Sequence, residues 1–386
     1  MINKISKHPY FENSVRTFFP LAALWAVLIP AYTVCVLVNN YPFIDHFFSI
    51  IQWHAYELLF NFFYTLVAGF ILTAAGHWTN VGPLGGRPLF FLWTLWIFDK
   101  IAIYITSNGF VAATLSLVFP IMFTYHLYQL LKTYKIRNLF IGMISVIPIL
   151  RINYILNYSN VIDVNISSLY EVLMWVILML ISIIAGRVIP VFTKNYLELK
   201  SKPAEPTAVK ITTFLLTGAI LLTGLEQLPD FIKFVIVTIA GILHCIRLGF
   251  WKGNLALRHP IIAVLHFGYL IFALSIIFKG FSYILPELTV FRAEIHFMLA
   301  GGVSLIALNI MIRATLGHTG REIKMDKSIA SMNLFLFLGF MIRVFVPIYD
   351  ASLFLRSLHH AMGFWTLAFL IYLIKFLPMC LRKRIG

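Results

Sequence analysis

Twelve histidines stand out in a chain in which 60% of the 386 residues are hydrophobic. In an apolar bundle of helices, polar side chains are costly and generally face the interior, where they mark the path of a ligand or an ion. Neutral imidazole is also a common ligand of metals and of haem iron. The histidines are therefore the first residues to consider for chemistry.

One candidate pair lies in the stretch Gln52-Trp53-His54-Ala55-Tyr56-Glu57. His54 and Glu57 are three residues apart, so on a helix they project from the same face. The carboxylate could then orient the imidazole or bind a metal beside it. The alternative is an interfacial anchor, in which Trp53 and His54 lie at the headgroup boundary and Glu57 stabilises the start of the helix.

A second candidate site combines His244 and Arg247 with His259 and His266. The last two are seven residues apart and lie about two turns from each other on one helical face. A haem between the two helices would have imidazole ligands and an arginine for its propionates. The alternative for each histidine is a hydrogen-bonded core residue.

Two further histidines lie near charged residues at helix ends. His296 follows Arg292 and Glu294, and His318 lies in the stretch Thr315-Leu-Gly-His-Thr-Gly-Arg321. The glycines around His318 predict a helix stop and a tight turn that presents His318 and Arg321 at the surface. Such a turn could bind a ligand or only contact lipid headgroups.

Small and polar residues recur at four-residue steps at Gly69, Thr73 and His77. This stripe predicts the close approach of another helix or of a flat ligand.

Membrane helices must position these residues, because only 12% of the chain is charged. About 20 apolar residues cross the hydrocarbon core as a helix. The sequence predicts an all-α fold, a single transmembrane domain of about twelve helices over residues 1–386, with a cytoplasmic linker at 190–209. The predicted spans are 17–38, 55–76, 87–105, 110–131, 138–157, 169–188, 210–226, 229–248, 258–279, 291–313, 328–347 and 352–378.

The distribution of basic residues predicts the topology. Most of the 30 Lys and Arg fall at the termini and in the even-numbered loops, so both termini are expected on the cytoplasmic side. The net charge of +15 then indicates topology and contact with anionic lipids in the bilayer, not nucleic-acid binding. The three cysteines are far apart, so neither a disulfide framework nor a thiolate metal site is expected.

Several motifs together resemble the NnrS family along nearly the whole chain. They are Trp53-His54-Ala55-Tyr56-Glu57, Gly69-Phe-Ile-Leu-Thr-Ala74, Trp78-Thr79, Gly186-Arg187-Val-Ile-Pro190 with Thr193, and Leu316-Gly-His318-Thr-Gly-Arg321. The resemblance implies a bacterial inner-membrane protein of about twelve spans that contains haem and copper and is associated with nitric oxide, denitrification and tolerance of nitrosative stress.

The resemblance also implies which residues hold the cofactors. The expected cofactor-binding residues are His54, His244, His266, His296, His318, Arg187 and Arg321, and the expected metal ligands are His54, Glu57, His266 and His296. One residue departs from the family motif: Tyr56 stands where relatives have a second histidine. Haem is therefore expected, whereas copper stays open.

The sequence leaves two function classes besides the haem protein. One is a transporter whose histidines relay protons or bind a solute, and the other is an assembly factor for a respiratory complex. The first hypothesis includes a small nitrogen-oxide ligand. Catalytic residues, enzymatic activity and the oligomeric state are not determined by the sequence.

Overall fold

A computed structural model describes residues 5–43, 47–220 and 228–385, and it contains helices and no strand within these ranges. The predicted all-α fold is confirmed. Its long helices are α1 Ser14–Asn39, α2 Ile50–Trp78, α3 Gly86–Ile101, α4 Gly109–Leu130, α5 Arg137–Tyr158, α6 Ile166–Tyr196, α7 Thr207–Ala219, α8 Asp230–Gly249, α9 Pro260–Phe281, α10 Pro286–His318, α11 Lys327–Tyr349 and α12 Ala351–Leu381.

Each predicted span overlaps one of these helices. Ten of them, in the described part of the chain, are long and apolar enough to cross a membrane. The other two are α3, with 16 residues, and α7, with 13. The predicted span 210–226 extends past α7 into residues outside the described ranges. The chain is therefore a multi-pass membrane protein, while the orientation of its termini and its description as a single domain stay predictions.

The chain forms two compact units. Unit 1 comprises Met1–Leu169, Met311–Glu322 and Phe369–Gly386, and unit 2 comprises Tyr170–Ile310 and Ile323–Ala368. Helices α6, α10 and α12 each contribute residues to both units. The stretch expected to be a linker from residue 190 is shorter than predicted, because α6 continues through Pro190 to Tyr196.

The start of α2 shows how local sequence sets a helix boundary. The Ser49 hydroxyl accepts a hydrogen bond from the backbone N–H of Gln52, and the Gln52 side chain accepts one from the backbone N–H of Ser49. This reciprocal cap satisfies two amides that would otherwise have no helical partner. The helix therefore begins five residues before the predicted span, and His54 lies inside it.

Two helices contain a π-helical segment within three residues after a predicted ligand histidine. The segment Glu57–Phe62 interrupts α2, and Phe297–Val303 interrupts α10. Such bulges insert an extra residue into the helical repeat and are frequent at functional sites. Here they lie next to His54 and His296.

In unit 1 the stripe on α2 packs against α1. The Ser14 hydroxyl lies 2.6 Å from Oγ1 of Thr73 and donates to the backbone oxygen of Gly69 at 2.9 Å. A Cβ on Gly69 would lie 2.8 Å from the Phe19 ring. Of the two alternatives for this stripe, the structure shows close helix packing at Gly69 and Thr73.

In unit 2 glycines bring α9 close to its neighbours. A Cβ added to Gly302 would lie 2.5 Å from the backbone Cα of Phe272, and one on Gly241 would lie 2.8 Å from the backbone nitrogen of Ile277. Backbone cannot rotate away as a side chain can. These positions therefore accept only glycine without a shift of the helices.

We expect Gly302→Ala to lower the free energy of unfolding by about 1–3 kcal/mol, because the added methyl group overpacks the contact with α9. The thermal midpoint of the detergent-solubilised protein measures this change. Gly363→Ala in α12 is the matched control, since a Cβ added there would meet no neighbouring atom within 4 Å and alanine favours a helix. Equal midpoints for the two variants would contradict the packing argument.

Candidate functional site

Glu57 is the centre of a buried polar network in unit 1. Its side chain is 1% exposed, and one carboxylate oxygen, Oε2, accepts hydrogen bonds from Trp25 Nε1 and Asn61 Nδ2, both at 2.7 Å. The other oxygen accepts one from the Tyr104 hydroxyl at 3.1 Å. Both oxygens of Glu57 therefore have protein donors.

The network continues to a buried ion pair on α3. Lys100 Nζ donates to Asn61 Oδ1 at 2.5 Å and to Asp99 Oδ2 at 2.8 Å. Asp99 is 2% exposed and Lys100 is 5% exposed. The amide of Asn61 thus connects Glu57 with the cation of Lys100.

Arg151 on α5 completes this network. Its Nη1 donates to Asp99 Oδ1 at 2.6 Å, and its Nε donates to the hydroxyl of Tyr56 at 2.8 Å. Two carboxylates and two cations are thereby buried together, which is the condition under which charges are tolerated in an apolar interior. We name this set the Glu57 network: Trp25, Tyr56, Glu57, Asn61, Asp99, Lys100, Tyr104 and Arg151.

His54 lies on the same helix but has a different partner. Its Nδ1 lies 3.2 Å from Oγ1 of Thr33, whose hydroxyl also donates to the Ile29 carbonyl at 2.7 Å. Both oxygens of Glu57 accept hydrogen bonds from other groups. Among the contacts of this network, the carboxylate of Glu57 is not paired with the imidazole of His54 as predicted. Within the described ranges no three His, Cys, Asp or Glu side chains are grouped to hold a metal ion.

A second buried network in unit 2 surrounds Tyr269. The Thr217 hydroxyl donates to the Thr213 carbonyl at 2.6 Å, so its oxygen accepts from His244 Nε2 at 3.1 Å. The Tyr269 hydroxyl oxygen accepts a hydrogen bond from Arg247 at 3.3 Å. The same hydroxyl donates its proton to His244 Nδ1, which lies 2.7 Å away. This pattern assigns the tautomer and leaves both nitrogens of His244 bonded.

Arg247 connects this site to the segment between α6 and α7. Its Nε donates to Glu205 Oε1 at 2.9 Å, and its Nη1 donates to the backbone oxygen of Ser182 at 3.0 Å. Trp251 Nε1 donates to the other Glu205 oxygen at 2.8 Å. We name the Tyr269 network as Ser182, Glu205, Thr217, His244, Arg247, Trp251 and Tyr269.

The glycine of the Gly186-Arg187 motif has a direct steric role here. A Cβ at Gly186 would overlap the guanidinium of Arg247. Glycine at this position therefore makes space for the arginine that binds Tyr269. Arg187, the next residue and a predicted cofactor ligand, is half-buried on α6.

His266 adjoins the Tyr269 network and is 5% exposed. Its Nδ1 lies 3.1 Å from the Ile262 carbonyl, and its Nε2 lies 3.3 Å from the Trp251 carbonyl. A neutral imidazole has one N–H and can donate to only one of them. If the shorter contact carries the proton, Nε2 has the lone pair that a metal ion would require.

His296 lies on α10, beside the end of α9 that is farther from His266. The rings of Phe278 and Phe297 are in contact, which places His296 near residue 278 of α9. His266 is twelve residues earlier on that helix, about 18 Å away at 1.5 Å per residue. The two predicted metal ligands are therefore too far apart to bind one ion. His296 Nδ1 lies 2.8 Å from the Arg292 carbonyl.

His318 and Arg321 lie in the predicted turn in unit 1. The His318 ring is 5.6 Å from that of His77, and its backbone oxygen accepts from the buried Arg16 at 3.0 Å. Arg321 Nη1 donates to the Thr319 carbonyl at 3.2 Å. The turn is thus fixed against the start of α1, and His77 adjoins it.

Sequence reasoning missed most of the charged members of both networks. Asp99 and Lys100 lie inside the predicted span 87–105, and Arg151 lies inside 138–157. Charged residues within an apolar span are themselves a signal of function or pairing. That signal could have identified these three residues, whereas Glu205 lies in a polar linker and carries no such mark.

Together, these features define a polytopic α-helical membrane protein with a buried polar network in each of its two units. A family model described as NnrS protein matches residues 9–384. The chain belongs to the NnrS family. A search of curated proteins finds no match.

We expect Asp99→Asn to lower the free energy of unfolding by about 3–5 kcal/mol, because Lys100 and Arg151 then lose their shared carboxylate in a buried setting. Thermal unfolding in detergent measures the loss. The double variant Asp99→Asn/Lys100→Gln restores the charge balance and should recover part of it. Asp163→Asn, on an exposed residue of unit 1, is the control. A midpoint as high as that of Asp163→Asn would reject the ion network.

Glu205, which lies outside the membrane helices, generates a pH prediction. Burial alone raises the pKa of its carboxyl, but the Arg247 cation and the Trp251 N–H outweigh burial and lower the pKa below its ordinary value. The carboxylate therefore stabilises the fold above the unfolded pKa of about 4.3, and this contribution is lost as the pH falls through the lower folded pKa.

Glu205→Gln should accordingly lower the thermal midpoint at pH 7, and the difference from the unmodified chain should shrink below about pH 4. Glu198→Gln changes an exposed carboxylate of the same linker and should leave the midpoint near its original value. A Glu205→Gln deficit that is constant between pH 7 and pH 3 would be inconsistent with this linkage.

Proposed function

We propose that this NnrS-family chain is a haem-binding protein of the bacterial inner membrane that acts in the response to nitric oxide and nitrosative stress. Family membership supports the nitric oxide context and the membrane location. The proposal for haem depends on whether the buried histidines have the geometry of a ligand.

The observation that carries the proposal is the environment of His266. A histidine ligand commonly donates its second ring N–H to a carbonyl, which fixes the ring and the tautomer. His266 has such a contact from Nδ1 to the Ile262 carbonyl and is buried, and its Nε2 lies 3.3 Å from the backbone oxygen of Trp251. Its Nε2 would then be the nitrogen that binds iron, in place of its longer contact with the Trp251 carbonyl.

His244 fits a different role. Both of its ring nitrogens are bonded, to Tyr269 and Thr217, so it could bind iron only by losing one of these bonds. We assign it instead to holding Tyr269 in place. The Tyr269 hydroxyl accepts from Arg247 and donates to His244, so both residues hold the Tyr269 ring in position.

Ferrous haem with an open axial position binds nitric oxide, and a polar pocket beside it tunes that binding. In this proposal His266 would hold the iron, and Trp251 and Tyr269 would line the pocket. Copper at His54 is a separate question for metal analysis. Glu57 already has three donors, and Tyr56, in the place of the family's second histidine, is bonded to Arg151.

The test is haem content and the visible spectrum of detergent-purified protein, oxidised and reduced, before and after nitric oxide. We expect a stoichiometric haem whose Soret band shifts with nitric oxide. His266→Ala should lower the haem per polypeptide by roughly tenfold or more. Copper per polypeptide is measured on the same samples.

His360→Ala is the matched control. His360 has the same contact from Nδ1 to the carbonyl four residues earlier, at 2.8 Å, but it is exposed. Its replacement should leave the haem content unchanged. Equal haem in the two variants would remove His266 as the ligand.

A protein without haem, expressed with ample haem supply, would favour the transporter alternative. The observation relevant to that alternative is the Glu57 network, because buried carboxylates paired with cations are typical of proton and ion paths through membranes. Transport would then be measured in proteoliposomes with and without a pH gradient.

A further inference from the structure

An apolar groove lies where the two ends of the chain meet in unit 1. Its volume is about 440 Å³, and it is lined by Ile5, Lys7, His8, Tyr10, Phe11 and Leu381. This volume is within the range of small-molecule sites, about 300–1,000 Å³. The groove has two basic side chains, Lys7 and His8, on otherwise apolar walls.

The floor of the groove is held in a fixed shape. The Tyr10 hydroxyl donates to the Thr17 carbonyl at 2.9 Å, and the Thr17 hydroxyl donates back to the Tyr10 carbonyl at 2.6 Å. Phe11 makes edge contacts with the rings of Phe90 and Trp93. The groove is therefore formed before any ligand enters.

A basic tail continues directly from the groove. Leu381 is followed by Arg382, Lys383 and Arg384, which we call the basic tail and which is exposed. Two hydrogen bonds hold the backbone here: the Arg16 side chain donates from Nη1 to the Arg382 carbonyl at 3.0 Å, and the N–H of Ile385, which follows the tail, donates to the Thr319 carbonyl at 3.1 Å.

The tail is also held by a steric fit. Gly320 has a φ of +73°, and a Cβ there would overlap the Ile385 carbonyl. The side chains of the basic tail are not used in these backbone contacts. Three positive side chains thus extend from a fixed backbone that directly follows the groove residue Leu381, and Lys7 lines the groove itself.

We propose that this site binds one anionic phospholipid, with an acyl chain in the groove and its phosphate at the basic tail and Lys7. The groove lies at the ends of α1 and α12, both of which are long and apolar enough to cross a membrane. It is therefore at the depth where the apolar and charged parts of a lipid meet.

Charge complementarity selects the lipid class. Each Lys or Arg near an anionic membrane surface adds to lipid attraction, and a cluster of such residues next to a membrane helix is typical of anionic headgroup recognition. An apolar groove alone would accept any acyl chain. The combination predicts preference for an anionic over a zwitterionic headgroup with the same chains.

The test counts lipids bound to the full chain by native mass spectrometry, with phosphatidylglycerol or phosphatidylcholine of identical chains added to delipidated protein. We expect one retained phosphatidylglycerol and at least tenfold weaker binding to Lys383→Gln/Arg384→Gln. Lys132→Gln/Lys135→Gln removes the same charge from another exposed basic stretch of unit 1 and should bind as the unmodified chain does.

The groove is tested separately with Leu381→Asn, whose lipid affinity should fall. The control is Leu367→Asn, since both leucines belong to α12 and are 44% exposed. Glycerol 3-phosphate, which has the headgroup phosphate without chains, should neither bind nor compete. Equal binding of both lipids, equal loss in both charge variants, or full competition by glycerol 3-phosphate would each overturn the proposal.

Discussion

Burying a charged group in an apolar interior costs several kcal/mol unless a partner of opposite charge and further hydrogen bonds compensate it. That constraint governs this molecule more than any other, because its solvent is a bilayer. Asp99 shows how it is met: one carboxylate oxygen binds Lys100 and the other binds Arg151. Lys100 also binds Asn61 and Arg151 also binds Tyr56, so α2, α3 and α5 of unit 1 are tied together and their relative positions depend on these contacts.

The same constraint shapes unit 2, with neutral groups in the central positions. His244 is 0% exposed and has a hydrogen-bond partner on each ring nitrogen. Arg247 forms an ion pair with Glu205, which lies in the linker between two helices. A polar loop residue thus neutralises a membrane arginine, and a glycine at 186 provides the space. The site for chemistry is assembled from segments far apart in the chain.

Family residues therefore divide by role once their contacts are known. Glu57 and Gly186 hold the networks in place, whereas His266 is the histidine that we propose as the haem ligand. Tyr56, where the resemblance led us to expect a histidine, binds Arg151 and belongs to the Glu57 network. A replacement that suggests a lost metal ligand in the sequence is thus accounted for in the structure by a hydrogen bond to a buried arginine.

The sequence by itself determined the helical membrane fold and the family. The reason is that long apolar runs and local motifs act over one helix, and a bilayer leaves few other structures for them. It also indicated close packing at Gly69 and Thr73. Only the tertiary structure decided which polar groups meet.

Contacts such as Arg151 with Asp99, or Arg247 with Glu205, join residues 52 and 42 positions apart and depend on how helices are arranged. The spacing of residues in one helix carries no information about them. The sequence therefore identified histidines as candidates. The fold places His266 far from His296 and gives each ring nitrogen of His244 a hydrogen-bond partner. Which polar groups meet depends on contacts between helices, because a buried charge must be neutralised by a residue from another segment.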